Sequence, residues 1–200
     1  MRTLIILDVQ NDFISGSLAT PHGMEIIPVI NRILPQFDLI VATQDWHPQN
    51  HQSFASNHPG YQPFATIQLA RGTQTLWPEH CVQGSWGSEL HAQLDNRPIQ
   101  AIFRKGINPE ADSYSGFYDN YHEHSTGLTG YLHDKGAKEL YFCGLCADIC
   151  VYFSIKDAYH EGFSCHLLED ATKALDEKQF LNIKQELLQM NVNISSSKHL

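Results

Sequence analysis

Reactive side chains stand where four short apolar runs stop. Asp8 follows Leu4-Ile5-Ile6-Leu7, and Asp45-Trp46-His47 comes shortly after Leu39-Ile40-Val41-Ala42. Lys105 lies just past the run from Ile99 to Phe103, and Leu140-Tyr141-Phe142-Cys143 leads into Gly144-Leu145-Cys146-Ala147-Asp148-Ile149-Cys150. If those runs are neighbouring parallel strands, their carboxyl ends share one rim, where open α/β sheets bind ligands. A carboxylate, an amine, a thiol and a metal-ligating pair then meet there. A carboxylate can take the proton of a thiol, a nearby ammonium favours the thiolate, and the thiolate is a nucleophile for covalent catalysis. Cys150 is expected near the start of a helix, whose N–H groups and dipole also favour a thiolate at neutral pH. Taken alone, a free cysteine is more often a small buried hydrophobe. The Cys143-x-x-Cys146 spacing carries little weight as a redox or zinc half-site, because Cys143 falls inside the strand and no second pair follows.

Asp45 and His47 are two residues apart, so in extended backbone they project to the same side. His80, within Trp77-Pro78-Glu79-His80-Cys81, can complete a His/His/carboxylate set suited to zinc, iron or manganese. His51 and His58 are further candidates, and with 12 His in the chain a chance Asp-x-His pair is ordinary. Singly, Asp8 reads as a turn or capping carboxylate, Lys105 as a surface amine, and Phe13, Trp77 and Tyr114 as packing aromatics. Their common location is what lifts them. There is no G-x-G-x-x-G, P-loop or G-x-S-x-G, so neither a nucleotide cradle nor a serine nucleophile elbow has support.

The elements that must hold these groups alternate. The four runs read as strands, Phe163 to Leu168 as a fifth, and Val192 with Ile194 as an edge strand. Between them, Met24 to Phe37 carries Ile26, Ile30, Ile33 and Leu34 at helical spacing, with Pro28 tolerable only near the helix start. A helix over Asp148 to His160 places Val151, Ile155, Ala158 and Tyr159 on one stripe. Asp176 is placed to cap another that carries Phe180, Ile183, Leu187 and Met190. Continuous apolar strands between amphipathic helices predict an α/β fold, a three-layer α/β/α sandwich with a central, mostly parallel sheet of about six strands. Residues 1–200 read as one domain with a long insertion at about 45–98, where only Ser88 to Leu94 suggests a helix. Connections of that length are usually functional.

Composition bounds the partners. The 200 residues carry 13 Lys+Arg against 22 Asp+Glu, a net charge of −9, which argues against nucleic acid or an anionic membrane surface. Five cysteines, three crowded between Cys143 and Cys150, do not form a secreted disulfide framework. The first apolar run is broken at once by Asp8, and no run reaches a membrane span. The expectation is a soluble, reduced, cytoplasmic protein.

Six segments now occur in order: Leu7-Asp8-Val9-Gln10-Asn11-Asp12-Phe13, Asp45-Trp46-His47-Pro48, Trp77-Pro78-Glu79-His80-Cys81, Phe103-Arg104-Lys105-Gly106, Tyr114-Ser115-Gly116-Phe117 and Gly144 to Val151. Together they resemble the isochorismatase-like cysteine hydrolases, and within them the nicotinamidases, from Leu4 to about Asp170. The resemblance implies Asp8, Lys105 and Cys150 as a catalytic triad and Asp45, His47 and His80 as metal ligands. It also implies a cis peptide at Leu145–Cys146 and an oxyanion hole from the backbone N–H groups of Cys146 and Cys150. Phe13, Trp77 and Tyr114 would enclose the substrate ring. A divalent transition metal (zinc, with manganese or iron as alternatives) would hold its pyridine nitrogen. The implied reaction converts nicotinamide to nicotinate and ammonia through a thioester, with pyrazinamide as a related small-molecule substrate. Another amide or ureido hydrolase, or a silent metal-binding protein on this scaffold, are the competing readings; the intact Asp/Lys/Cys set speaks against the last. Cys146 departs from the alanine common at that place.

Overall fold

In the computed structural model, which describes residues 1–200, the elements follow in this order: β1 (Arg2–Leu7), α1 (Asn11–Ile14), α2 (Ile26–Ile33), β2 (Leu39–Asp45), β3 (Thr66–Leu69), β4 (Gly72–Thr75) and β5 (Ala101–Lys105). They continue with α3 (Leu128–Asp134), β6 (Glu139–Leu145), α4 (Tyr152–His160), β7 (Ser164–Lys173), α5 (Glu177–Gln189) and β8 (Asn193–Ser195). Six strands form one sheet in the order β5-β2-β1-β6-β7-β8, and every pairing in it is parallel. The pleat divides β1 cleanly. Leu4 and Ile6 enter the apolar cluster under α1 and α2, while Ile5 and Leu7 enter the one under α4 and α5. Both faces are therefore covered, as the unbroken apolar runs require.

The strand order places the site. From β1 the chain moves outward through β2 to β5, then returns to the other side of β1 for β6, β7 and β8. The direction reverses between β1 and β6, and a crevice opens at that switch point beyond the strand ends.

Several boundaries differ from the sequence expectation, each for a local reason. The Met24–Phe37 helix is α2 flanked by 3-10 turns at Gly23–Glu25 and Leu34–Gln36. Pro35 has no N–H to continue the α pattern. Apart from Ser88, which ends a 3-10 turn begun at Trp86, the stretch to Leu94 is not helical. Its backbone lies along the chain after β1, with Asn11 N–H donating to the Glu89 carbonyl, His91 N–H to that of Val9, and a Gln10–Leu90 bridge. The sequence pattern does not predict α1, the β3–β4 hairpin inside the long insertion, or α3, which buries only Leu128 and Leu132 and contains Gly130. The Asp176 cap is present, accepting from the N–H groups of Lys178 and Gln179.

Candidate active site

Asp8 ends β1 with φ at 47°, a conformation in which Asp is better tolerated than most residues. Its Oδ1 accepts from the Thr43 hydroxyl at 2.6 Å, and its Oδ2 lies 3.1 Å from Lys105 Nζ. Lys105 ends β5 and reaches back across β2. Its ammonium donates to Asp45 Oδ1 at 2.6 Å and to the Ser113 carbonyl at 2.9 Å, and lies 3.5 Å from Cys150 Sγ. All four side chains are buried. Asp8, Asp45 and Cys150 present reactive atoms within 4.8 Å of one another, so with Lys105 a carboxylate pair, an amine and a thiol lie together on the rim.

Electrostatics set the resting protonation. Burial opposes charge on Lys105, but Asp45 and Asp8 outweigh it and hold the ammonium charged well above its ordinary value. Burial raises Asp8, with Lys105 pulling the other way. Cys150 does not follow the expectation of a resting thiolate. It sits in a π-helical turn (Ala147–Val151) ahead of α4, not in the first turn of an α-helix, and burial pushes its thiol well above 9.0 despite Lys105. Burial thus favours the thiol form of Cys150, and the Asp8 carboxylate lies within 4.8 Å of its sulfur.

The chain between β6 and α4 aims that sulfur. Gly144 has φ at 108°, and a Cβ there would collide with the Leu7 backbone. The Leu145–Cys146 peptide is cis, and the turn carrying Cys150 follows directly. A cavity opens in front of it, lined by Phe13, Leu18, Asp45, Trp77, His80, Asp112, Ser113, Tyr114, Cys146, Ile149, Cys150 and Leu175. Phe13, Trp77 and Tyr114 thus share one wall system, with Trp77 Nε1–H donating to Tyr114 Oη at 3.3 Å. Asp8, Lys105 and His47 stand behind the lining.

Asp45, His47 and His80 offer ligand atoms within 4.8 Å of one another, all buried. His80 Nε2 is 3.8 Å from Asp45 Oδ2, while its Nδ1 donates to the Pro78 carbonyl at 2.8 Å. Burial lowers His80 to about 4, so its ring is neutral at physiological pH and keeps a lone pair for a cation. His47 Nδ1 is buried with no partner, and its ring occupies the space that a Cβ on Gly106 would fill. An orphaned nitrogen, a neutral imidazole and a carboxylate make a donor set that fits one divalent transition metal. His58 is not part of this set, since its ring bonds the Gln52 carbonyl at 2.7 Å. His51 is adjacent, grouped with His47 and Asp112. Cys143 is enclosed in β6 with its thiol on the Ile5 carbonyl, away from any metal set.

Some supporting residues had no signal of their own. Gln10 holds Asp45 by both backbone groups, donating to its carbonyl and accepting from its N–H, each at 2.8 Å. Asp12 accepts from the Cys81 N–H at 2.7 Å and so fixes the segment carrying His80. Both lie in a segment the sequence singles out, but only folding reveals their partners. Asp112 and Ser113 lie in an irregular stretch with no spacing pattern to betray them.

A buried thiol, ammonium and carboxylate thus meet at the switch point of a parallel α/β sheet. The isochorismatase domain family matches residues 2–198, and the chain belongs to that family. It is similar to a nicotinamidase of Acinetobacter baylyi, 47% identical over 199 residues that cover 98% of this chain and 93% of the relative. Among solved structures it resembles PnC1 from L. infantum in complex with nicotinate, at TM-score 0.88 and 40% identity, covering 99% of this chain and 93% of that one. It also resembles the pyrazinamidase of Pyrococcus horikoshii in complex with zinc, at TM-score 0.81 and 32% identity, with 98% of each chain covered.

Proposed function

We propose that this protein is an amidohydrolase that converts nicotinamide to nicotinate and ammonia, with Cys150 as nucleophile. The observation that carries the reading is the convergence of Asp8, Lys105 and Cys150 beside an aromatic-walled cavity. Asp8 takes the Sγ proton as sulfur bonds to the carboxamide carbon. The charge that develops on oxygen faces the backbone N–H groups of Cys146 and Cys150, a type of contact commonly contributing about 3 kcal/mol per donor. The carbon–nitrogen bond then breaks, and Asp8 returns the proton to the departing ammonia. Water, deprotonated by Asp8, attacks the thioester carbon; the carbon–sulfur bond breaks, and Cys150 regains its proton from Asp8. Lys105 keeps its charge throughout and offsets the negative charge on the carboxylates and the sulfur.

Asp45, His47 and His80 would hold a divalent transition metal, zinc ahead of manganese or iron, for which the zinc-bound relative gives support. Such an ion supplies a Lewis-acidic point that a pyridine or pyrazine ring nitrogen can bind. Phe13, Trp77 and Tyr114 enclose the flat ring. The insertion at 45–98 provides both His80 and Trp77, which supports reading it as the metal-site and lid segment of one domain spanning 1–200. Five free, buried cysteines support a reducing, cytoplasmic setting. No helix is long and apolar enough to cross a membrane.

The test is an ammonia-release assay across nicotinamide, pyrazinamide, benzamide and an N-carbamoyl compound. Benzamide keeps the shape of nicotinamide and lacks the ring nitrogen, so kcat/KM for nicotinamide is expected to exceed it by ~10³ or more. Comparable rates for the two would refute the ring-nitrogen role. Efficient cleavage of the ureido compound would move the protein to the ureido-hydrolase reading.

A further inference from the structure

Three imidazoles crowd together beside the cavity, with ring centroids 4.8 Å apart for His47 and His80 and 4.6 Å apart for His47 and His51. A neutral imidazole has one N–H and one lone pair, and the hydrogen bond made by one nitrogen decides what the other can do. His80 donates from Nδ1 to the Pro78 carbonyl, which leaves its Nε2 bare on the Asp45 side. His51 is the opposite case. The Ser53 N–H donates to its Nδ1 at 3.2 Å and the Ser53 hydroxyl lies 2.7 Å from the same atom, so in the neutral ring the proton sits on Nε2, itself buried with no partner, and no lone pair is left to ligate. His51 therefore drops out as a ligand despite its burial and proximity.

His47 is settled by Asp112. That carboxylate is 3% exposed and can only accept hydrogen bonds when ionised. Its Oδ1 lies 3.4 Å from His47 Nε2 and accepts from the Ser113 N–H at 2.9 Å, and its Oδ2 accepts from Gln74 Nε2 at 3.3 Å. An acceptor facing Nε2 demands a proton there. The remaining nitrogen, Nδ1, is buried and has no partner. We propose that Asp112 is the positioning residue of the metal site: it holds His47 in the Nε2–H form, fixes the ring against Gly106 and leaves Nδ1 as its ligating atom. This rests on the reading of Asp45, His47 and His80 as metal ligands. The two histidines then bind through different nitrogens, Nδ1 from His47 and Nε2 from His80. Gln74, on β4, extends the anchor from the metal site into the hairpin.

The experiment measures zinc affinity of the metal-stripped full-length protein by competition with a chromophoric chelator. Wild type, Asp112→Ala, Asp112→Asn and His80→Ala are compared, together with the visible spectrum of each cobalt-loaded form. Loss of such a supporting carboxylate typically weakens binding ~10- to 100-fold, and that is the expectation for Asp112→Ala. The near-isosteric Asp112→Asn keeps an acceptor without its charge; it should bind zinc more weakly than wild type and shift the cobalt bands. A purely architectural role would lower the melting temperature of the metal-free protein and leave zinc affinity of the folded fraction unchanged. Zinc affinity within twofold of wild type in a folded Asp112 variant overturns the proposal, and Asp112→Asn answers if Asp112→Ala does not fold. His80→Ala separates the two levels: if it binds zinc as wild type does, the ligand set itself is wrong and the role of Asp112 falls with it.

Discussion

Asp8→Asn isolates the proton-transfer step from everything else the site does. The amide matches the carboxylate in shape, and Asn tolerates the positive φ of 47° at this position as readily as Asp does. The Thr43 hydroxyl, now 2.6 Å from Oδ1, can rotate to meet either end of the amide. Lys105 loses one carboxylate but keeps Asp45 at 2.6 Å and the Ser113 carbonyl at 2.9 Å, so its charge is not stranded. The fold should survive, with a stability loss below the ~3–5 kcal/mol of a fully broken buried pair. Turnover should not survive. A thiol at the ordinary 9.0 would be only about 1% ionised at pH 7, and burial makes Cys150 scarcer still as a thiolate. Removing the base thus costs at least ~10² in available nucleophile, and the lost proton return to ammonia brings the expected fall in kcat to ~10³ or more. KM should stay within about threefold, because Asp8 stands behind the cavity lining and not in it. Steady-state ammonia release gives both constants, and iodoacetamide alkylation of Cys150 should slow in parallel. A folded Asp8→Asn protein that retains more than a tenth of wild-type kcat would refute the assignment of Asp8 as the base.

Three further outcomes are expected. His47→Ala and His80→Ala should each lose the bound divalent metal, read by elemental analysis of the purified protein; full occupancy in the double variant would place the site elsewhere. Gly144→Ala forces a Cβ into the Leu7 backbone at a φ of 108°, so urea denaturation should show a loss of about 3 kcal/mol or more, and a wild-type midpoint would contradict the geometry. At the C-terminus, Asp170 accepts from the Ser197 N–H at 2.6 Å and from the hydroxyls of Ser196 and Ser197, and these bonds lower its pKa against the opposing pull of burial. A carboxylate lowered on folding stabilises above its unfolded value of 3.8 and loses that contribution as pH falls through the folded value. Wild type should therefore outlast Asp170→Asn in thermal melts at neutral pH, with the gap closing below pH 3.8 as Asp170 protonates; a pH-independent gap would argue against a charge effect.

Much of this protein is determined by its residue order alone. Unbroken apolar runs such as Leu4–Leu7 can only be strands covered on both faces, and that dictates a parallel sheet with helical layers. A parallel sheet in turn carries its ligand site at the strand ends, which is why the common location of Asp8, Lys105 and Cys150 is legible in the sequence. Asp45 and His47 were legible for a similar reason, since extended backbone sends alternate side chains to one side. What could not be read is whatever depends on contacts made far apart in the chain. Ser88–Leu94 has a helical pattern but becomes an extended partner of the chain after β1, because unpaired backbone groups there offered it hydrogen bonds. The Cys150 thiol was expected to be ionised from its place near a helix start, and burial by the packed layers reversed that. Which nitrogen of His47 is free depends on Asp112, a partner 65 residues away in sequence. Local chemistry chose the reactive groups, while tertiary packing assigned their protons.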